Sequence, residues 1–539
     1  MSNITFNQKQ VLLKGAIILS IAAIVTKVLS AVYRIPFQNI VGDIGFYIYQ
    51  QVYPFYGIAI ALSTYGFPVI ISKLYADTYS TRGKEEANRL LFPLFLAIFC
   101  FCILLYFGLF FGADFLAIQM GDIHLSPLIK ITSYAFLLIP VISIIRGYFQ
   151  GTGNMTPTAI SQVGDQTVRV ALILVFALIF VGNGASLYKI GQAALFASVV
   201  GNLFGITLLI WLVFHQHSVS FKQLIGNVRA SFFAIRTIFG HGIAVCISGL
   251  TLVLFQMSDA FQVYSALIKQ GLPFQEAQIL KGIYDRGQPL IQIGLVLATS
   301  LSLSIVPIIS SINNRNRKDL HDYLRLSLYI SIVVGAGAAI GLMVIMDPLN
   351  TMLFKNSSGT EVLIILSFAV LFASINATII SIMQGLGYIY YPSIIVLIGL
   401  FIKIGLNFFL LSKIGIAGAA VATNIAMMVM LFLLVMKLRK TVKFRIIDPH
   451  FFFVLFYSLV SMVLVITFFF IACNKLKSEA IDSRLFACFQ SLGGAIVGGI
   501  VFLLFVIRGE VFSREELLLL PWGDKLEIFR KKNNRRFMK

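Results

Sequence analysis

Charge is scarce in this chain of 539 residues: only 12% are Asp, Glu, Lys or Arg, against 58% hydrophobic. A water-soluble domain needs far more polar surface to cover itself, so a soluble globular fold is excluded. A mean hydropathy of +0.91 places the chain in a membrane. Tryptophan is nearly missing, at two residues, while 49 phenylalanines and 20 tyrosines suit lipid-facing and interfacial positions. Cysteine is rare too. Cys100, Cys102, Cys246, Cys473 and Cys488 lie mostly inside apolar runs and form no CxxC pair. That excludes a disulfide framework or a cysteine metal site and leaves packing residues in a reduced setting. There is no G-x-x-x-x-G-K-[ST] loop for ATP, no HExxH, no Cys/His cluster and no nucleophile triad, so an enzyme, a metal or another cofactor has no support.

Long apolar runs are what the chain has instead. A bilayer core takes about 20 apolar residues per helix. That rule predicts fourteen spans, near 11–34, 45–75, 90–111, 126–150, 157–182, 188–214, 238–265, 284–311, 325–346, 361–386, 392–412, 415–436, 451–473 and 486–507. The first run is too long for a signal-peptide core and lacks a small-residue cleavage site, so it reads as a retained helix. The net charge of +20 gathers in alternate connections: Arg82, Lys84 and Arg89; Lys222, Arg229 and Arg236; Arg315, Arg317, Lys318 and Arg325; Lys437, Arg439, Lys440, Lys443 and Arg445; then the tail from Arg508 to Lys539. The other connections are nearly bare, with Lys269, Lys281, Lys355, Lys413, Lys475, Lys477 and Arg484. By the positive-inside rule both termini are cytoplasmic, which an even number of spans satisfies. The basic tail reads as a topology signal and a contact for anionic lipid, with no nucleic-acid partner.

The chain also repeats itself. Gln150-Gly151-Thr152-Gly153 closes the fourth span and Gln384-Gly385-Leu386-Gly387 the tenth. Each is followed by a proline, Pro157 or Pro392, and then by one intramembrane cation, Arg169 or Lys403, nineteen residues after its glutamine. Gly191-Gln192-Ala193-Ala194 echoes Ala417-Gly418-Ala419-Ala420, and Pro68-Val69-Ile70-Ile71-Ser72 echoes Pro307-Ile308-Ile309-Ser310. Gln-Gly-x-Gly by itself is a turn, with glycine for φ > 0 and proline for the first helical turn. The local turn does not explain the matched cations. Every match relates a span to the sixth after it, which predicts two six-helix lobes as a parallel repeat plus two C-terminal helices. The expected domains are an N-lobe at 1–220, a C-lobe at 221–440, spans 13 and 14 at 441–510 and a basic cytoplasmic tail at 511–539. Substrate sites in such repeats lie near the midplane between the halves.

An ionised side chain at bilayer depth costs at least about 2.5–3.5 kcal/mol, so it faces water or a partner. Lys27 lies within the first span, with Arg34 two turns later on the same face. Asp165 and Arg169 stand at i,i+4 and can pair. Lys403 has no acid on its own helix, so it needs a remote partner or a hydrated cavity. Asp259 is near the end of the seventh span, and Asp285-Arg286 opens the eighth. Structural ion pairs, interfacial solvation and snorkelling are the plain readings. The excess of cations over acids favours an anionic substrate, with arginine as a planar fork and lysine as a point charge for phosphate. Tyr33, Tyr47, Tyr49, Tyr53 and Tyr56, with Gln50 and Gln51, read either as an interfacial belt or as sugar contacts.

These features come with a family resemblance. Lys14 and Lys27, Arg146-Gly147-Tyr148-Phe149-Gln150-Gly151, Met155-x-Pro157 with Ser161-Gln162 and Arg169, Tyr284-x-Arg286, and Gln384-Gly385 through Asn407 resemble the multidrug/oligosaccharidyl-lipid/polysaccharide (MOP) exporter superfamily. The branch is that of polysaccharide biosynthesis and stage V sporulation protein B, similar to the MurJ-type lipid II flippases. The resemblance covers essentially the whole chain. It implies an all-α fold of fourteen membrane helices, two lobes around a cationic cavity, and a bacterial plasma membrane. It implies outward flipping of an undecaprenyl-pyrophosphate-linked sugar by alternating access, with membrane lipids and cell-wall synthesis proteins as candidate partners. In such flippases cavity cations lie on the first, second and eighth spans. Lys27 matches the first, and Arg286, beside Asp285, the eighth. The second-span arginine has no counterpart, Ile58 lying near its place. The last two spans are expected to border a groove for the lipid tail.

The expected substrate contacts are therefore Lys27, Arg34, Arg286, Arg169 and Lys403, with Asp165, Asp259 and Asp285 in support or in ion coupling. A teichoic, capsular or other polyprenyl-linked glycan is the alternative cargo. A drug or cation antiporter of the same superfamily is the rival. Antiporters typically have twelve helices and often an acid in the first span, where this chain has Lys27.

Overall fold

The computed structural model describes residues 6–215, 232–296, 317–442, 448–476, 482–512 and 516. Among them every regular element is a helix. In chain order these are α1 (Phe6–Val32), α2 (Arg34–Ala61), α3 (Phe67–Arg82), α4 (Lys84–Gln119), α5 (Ser126–Gly151), α6 (Thr156–Gly182), α7 (Leu187–His215), α8 (Phe232–Thr237), α9 (Ile243–Gly249), α10 (Thr251–Lys269) and α11 (Phe274–Asp285). They continue with α12 (287–296), α13 (Arg317–Phe354), α14 (Thr360–Gly385), α15 (Tyr390–Ile414), α16 (Ile416–Val442), α17 (Pro449–Leu476) and α18 (Ser483–Arg508).

Among the described residues, twelve stretches are long and apolar enough to cross a membrane, the first running from Ile18 to Arg82. At 1.5 Å per residue its 65 residues would extend about 100 Å, three hydrocarbon thicknesses, so it holds more than one crossing. It contains the first two expected spans. The chain breaks at Tyr33 and again at Gly42, whose φ of 70° and ψ of −176° depart from helix geometry. The seventh expected span is divided among the π-helical turn Ile238–Gly242, α9 and α10. The eighth is described only to residue 296, and most of the expected tail lies outside the described residues.

The chain forms two compact units, residues 1–296 with 386–430, and residues 297–385 with 431–539. The two Gln-Gly-x-Gly turns have the expected geometry. Gly153 and Gly387 take φ of 85° and 90°, left-handed values that favour glycine, and α6 and α15 follow with Pro157 and Pro392 in their first turns. Small residues set the spacing of α2 and α10. Gly57 lies against Val253, and buried Gln51 donates to the Ala260 carbonyl at 3.0 Å. Both flanking runs contain a π-helical turn, Leu62–Gly66 and Ile238–Gly242, and Cys246 Sγ sits 3.8 Å from the Ala61 carbonyl beside Gly66.

In the second unit, α13 and α14 are tied by reciprocal bonds. Ser331 Oγ donates to the Ser374 carbonyl (2.9 Å), and Ser374 Oγ to the Ser331 carbonyl (3.0 Å). Helices α17 and α18 pack on α13 through an apolar cluster of Tyr329, Val333, Phe451, Met462, Ile466 and Phe502. Gly337, facing the Phe502 ring, allows that approach.

Candidate functional site

The first unit buries an unusual amount of charge, and most of it is paired. Lys403 on α15 finds the remote partner its own helix lacks. Its Nζ donates to Asp259 Oδ2 on α10 at 2.8 Å and to Thr423 Oγ1 on α16 at 2.6 Å. Tyr284 Oη (2.8 Å) and Asn407 Nδ2 (3.1 Å) complete the Asp259 carboxylate. Both charged side chains are at most 2% exposed.

Arg286 follows the last turn of α11. Its Nε and Nη2 grip the two oxygens of Asp43 at 2.9 and 2.6 Å, and Gln38 Nε2 donates to the same carboxylate at 2.9 Å. The sequence reading placed Arg286 beside Asp285. That carboxylate instead takes Lys281, one helical turn back, at 2.6 and 2.7 Å. Lys281 was expected in an exposed connection, but the amphipathic turns of α11 carry it inside, 2% exposed.

Asp165 and Arg169 do not form the expected i,i+4 pair. Asp165 accepts from Arg146 Nη2 on α5 at 2.8 Å, while Arg146 Nε bonds Ser161 Oγ at 3.0 Å. A guanidinium from the neighbouring helix reaches that carboxylate more directly than one on the same helix.

Arg169 turns the other way, toward tyrosines. Tyr49, Tyr53 and Tyr56 lie at i, i+4 and i+7, a helical stripe on α2. The break at Gly42 lets this stretch fold beside Tyr33. The Tyr33, Tyr49, Tyr53 and Tyr56 rings follow one another at 6.5, 5.8 and 6.3 Å between centroids. Arg169 lies 5.4 Å from the Tyr33 centroid and 5.1 Å from that of Tyr56, its Nη2 donating to Tyr33 Oη at 3.3 Å. Gly201 of α7 makes room for it, since a Cβ there would stand 2.8 Å from Arg169 Cβ. Arg34 lies over Tyr53 at 4.3 Å. It is 0% exposed, and none of its three guanidinium nitrogens has a hydrogen-bond partner of good geometry among the described residues. Neither arginine has a carboxylate within ion-pair distance among those residues.

These tyrosines are therefore interior, not a belt at the membrane surface. Tyr47 is buried as well, donating to Asp122 Oδ2 at 3.1 Å, where Tyr188 also donates at 2.6 Å. Lys27, on α1 one turn before Ser30, is half-buried and without an ion pair among the described residues. Ser30 Oγ accepts from Gln166 of α6 at 2.9 Å, so α1 turns this face toward the helix that carries Arg169.

The energetics separate the two kinds of cation. A buried guanidinium loses several kcal/mol of hydration, and a desolvated cation–π contact returns about 2. For Lys403, Arg286, Lys281 and Arg146 a carboxylate covers the difference. For Arg34 and Arg169 no carboxylate lies within ion-pair distance among the described residues, and Asp285 and Asp165 act on them only from farther away. Asp43, Lys281, Thr423 and Asp122 escaped the sequence reading. Asp43 was visible as an acid flanked by Gly42 and Gly45 between two apolar runs.

An all-helical chain with many apolar spans and such polar interiors is a multi-pass membrane protein of the MOP exporter fold. It belongs to the polysaccharide biosynthesis protein family, whose profile matches residues 12–313. It is 40% identical over 525 residues, 96% of each chain, to the uncharacterized membrane protein YabM of Bacillus subtilis (strain 168). It is 26% identical over 438 residues to the lipid II flippase MurJ of the same organism, covering 76% of this chain and 79% of that one. Among solved structures, the inward closed conformation of lipid II flippase MurJ matches with a TM-score of 0.65 at 17% identity, over 93% of this chain and 99% of that one. An inward-facing multidrug resistance MATE family transporter of the MOP superfamily matches with a TM-score of 0.61 at 15% identity, over 78% and 95%. At these identities the structures establish the fold alone.

Proposed function

We propose that the protein flips a polyprenyl-pyrophosphate-linked oligosaccharide from the inner to the outer leaflet of a bacterial plasma membrane by alternating access, with lipid II as its cargo. The observation that carries this reading is the pair of buried guanidinium groups, Arg34 and Arg169, that have tyrosines around them and no carboxylate within ion-pair distance among the described residues. A pyrophosphate diester brings two negative charges and several acceptor oxygens, which suits two forks and phenol donors. The flippase named among the relatives supports the same class of cargo.

In this reading Arg34 and Arg169 hold the pyrophosphate and Lys27 adds a point charge from α1. Lys403 keeps its lobe rigid through Asp259, and Asp165 does the same through Arg146. The lipid tail stays in the bilayer along α17 and α18. Both termini are cytoplasmic, so inside-negative potential drives the anion outward. Two charges gain about 4–5 kcal/mol per 100 mV, and no ATP is needed.

The test is depletion of the protein followed by identification of the lipid-linked intermediate that accumulates on the cytoplasmic leaflet. Lipid II is expected. Another polyprenyl-linked glycan would reassign the cargo within the class, and no accumulation of any such lipid would overturn the reading.

A further inference from the structure

Arg286 was expected to hold substrate, yet the Nε/Nη2 edge of its guanidinium is taken by Asp43. The contact is built with care on both sides. On α2, the Gly42 break redirects the helical segment that begins at Asp43, and Gln38 holds its carboxylate. On α11, Gly282 lies flat against the Asp43 backbone, where a Cβ would stand 2.8 Å from the Asp43 carbonyl carbon. The two residues are 243 positions apart, and their contact is one of several that join α2 to the later part of the first unit, beside the Gln51–Ala260 bond and the Gly57–Val253 approach.

The two partners differ in exposure. Arg286 is fully buried, while the Asp43 side chain keeps 16% of its surface open. A carboxylate and a phosphate present the same pair of oxygens to a guanidinium. An arginine whose fork is filled by an internal carboxylate is therefore occupied in a way that an anionic ligand can reproduce.

We infer that Asp43 is a built-in stand-in for the cargo's phosphate: it holds Arg286 while the site is empty and is displaced when the anionic headgroup arrives, so that loading and release of the α2–α11 joint are one event. This rests on the anionic cargo proposed above. It gives Asp43 a part in the cycle as a positioning residue, and it makes Arg286 a cargo contact only in the displaced state. The exchange neutralises the same guanidinium before and after, so Arg286 is never left buried without a counter-charge.

Inorganic pyrophosphate binding to the purified full-length protein, measured by calorimetry, tests it. Asp43→Asn removes the internal competitor and should tighten binding about tenfold, a coupling within the usual range for linked sites. Gly282→Ala changes no charge but wedges the joint apart, and it should tighten binding in the same direction. Arg286→Gln should weaken binding, and adding Asp43→Asn to it should then change nothing. If Asp43→Asn tightens binding equally with and without Arg286, Asp43 acts as a distant repelling charge and the inference fails. Unchanged binding in Asp43→Asn, with a folded protein by size-exclusion chromatography, also overturns it. Failure of wild type and all variants to bind pyrophosphate would instead remove the anionic-cargo reading on which it stands.

Discussion

Two buried cations, each nineteen residues after the glutamine of a Gln-Gly-x-Gly turn, have opposite surroundings. Lys403 meets a carboxylate, a threonine and a phenylalanine ring, whereas Arg169 meets two tyrosines. Removing Lys403 strands the Asp259 charge, and Lys403→Met should cost about 3–5 kcal/mol, read as a fall in the unfolding temperature in detergent. The double variant Lys403→Met with Asp259→Asn should recover most of that loss, because no charge is left unpaired. Arg34 should behave in the opposite way. It has no carboxylate within ion-pair distance among the described residues, so Arg34→Met should leave the unfolding temperature unchanged or raise it, while the proposed transport is lost. A variant that loses stability along with transport would make Arg34 a structural residue. That Arg169 and Lys403 stand inside apolar helices was legible from the spans. Their partners were not, because a side chain's neighbours on other helices leave no mark in its own segment.

At the scale of the helix, the punctuation of the chain was readable. Glycine and proline placed the turns at 150–157 and 384–392, and the structure has them there with left-handed glycines. Gly153→Ala and Gly387→Ala should each cost about 1–2 kcal/mol through backbone strain alone, since a Cβ at either would meet nothing within 4 Å. Equal losses in the two variants, measured by thermal unfolding, are expected from the shared geometry. Helix α2 was harder to read. Hydropathy marks its apolar part from residue 45, while the stretch 34–44 looks like a connection. In fact it is helical on both sides of the Gly42 break, and this is what delivers Asp43 to Arg286 and Tyr49 to Tyr33. The break needs one residue in a left-handed conformation, and a lone glycine in an apolar run does not announce it.

For the whole molecule, the proposed transport has an electrical consequence. If a doubly charged headgroup crosses outward, collapsing an inside-negative potential of 100 mV removes about 4–5 kcal/mol of driving force. Flipping in proteoliposomes with a potassium diffusion potential should then stop favouring one leaflet when valinomycin clamps the potential at zero. A neutral cargo would show no such change. The positive-inside pattern makes its own prediction: tags on either terminus should be reached by protease only from the cytoplasmic side.

Hydropathy is a cumulative property of the chain, and it determined an all-helical, multi-pass membrane protein with cations inside its apolar helices. Only the tertiary structure decided which of those cations are neutralised. Asp43 and Arg286 are 243 residues apart, Asp259 and Lys403 144, and Tyr33 and Arg169 136. Such pairings depend on the lateral placement and rotation of packed helices, set by close approaches at residues such as Gly201 and Gly282, and hydrophobic periodicity within a single helix carries no record of them.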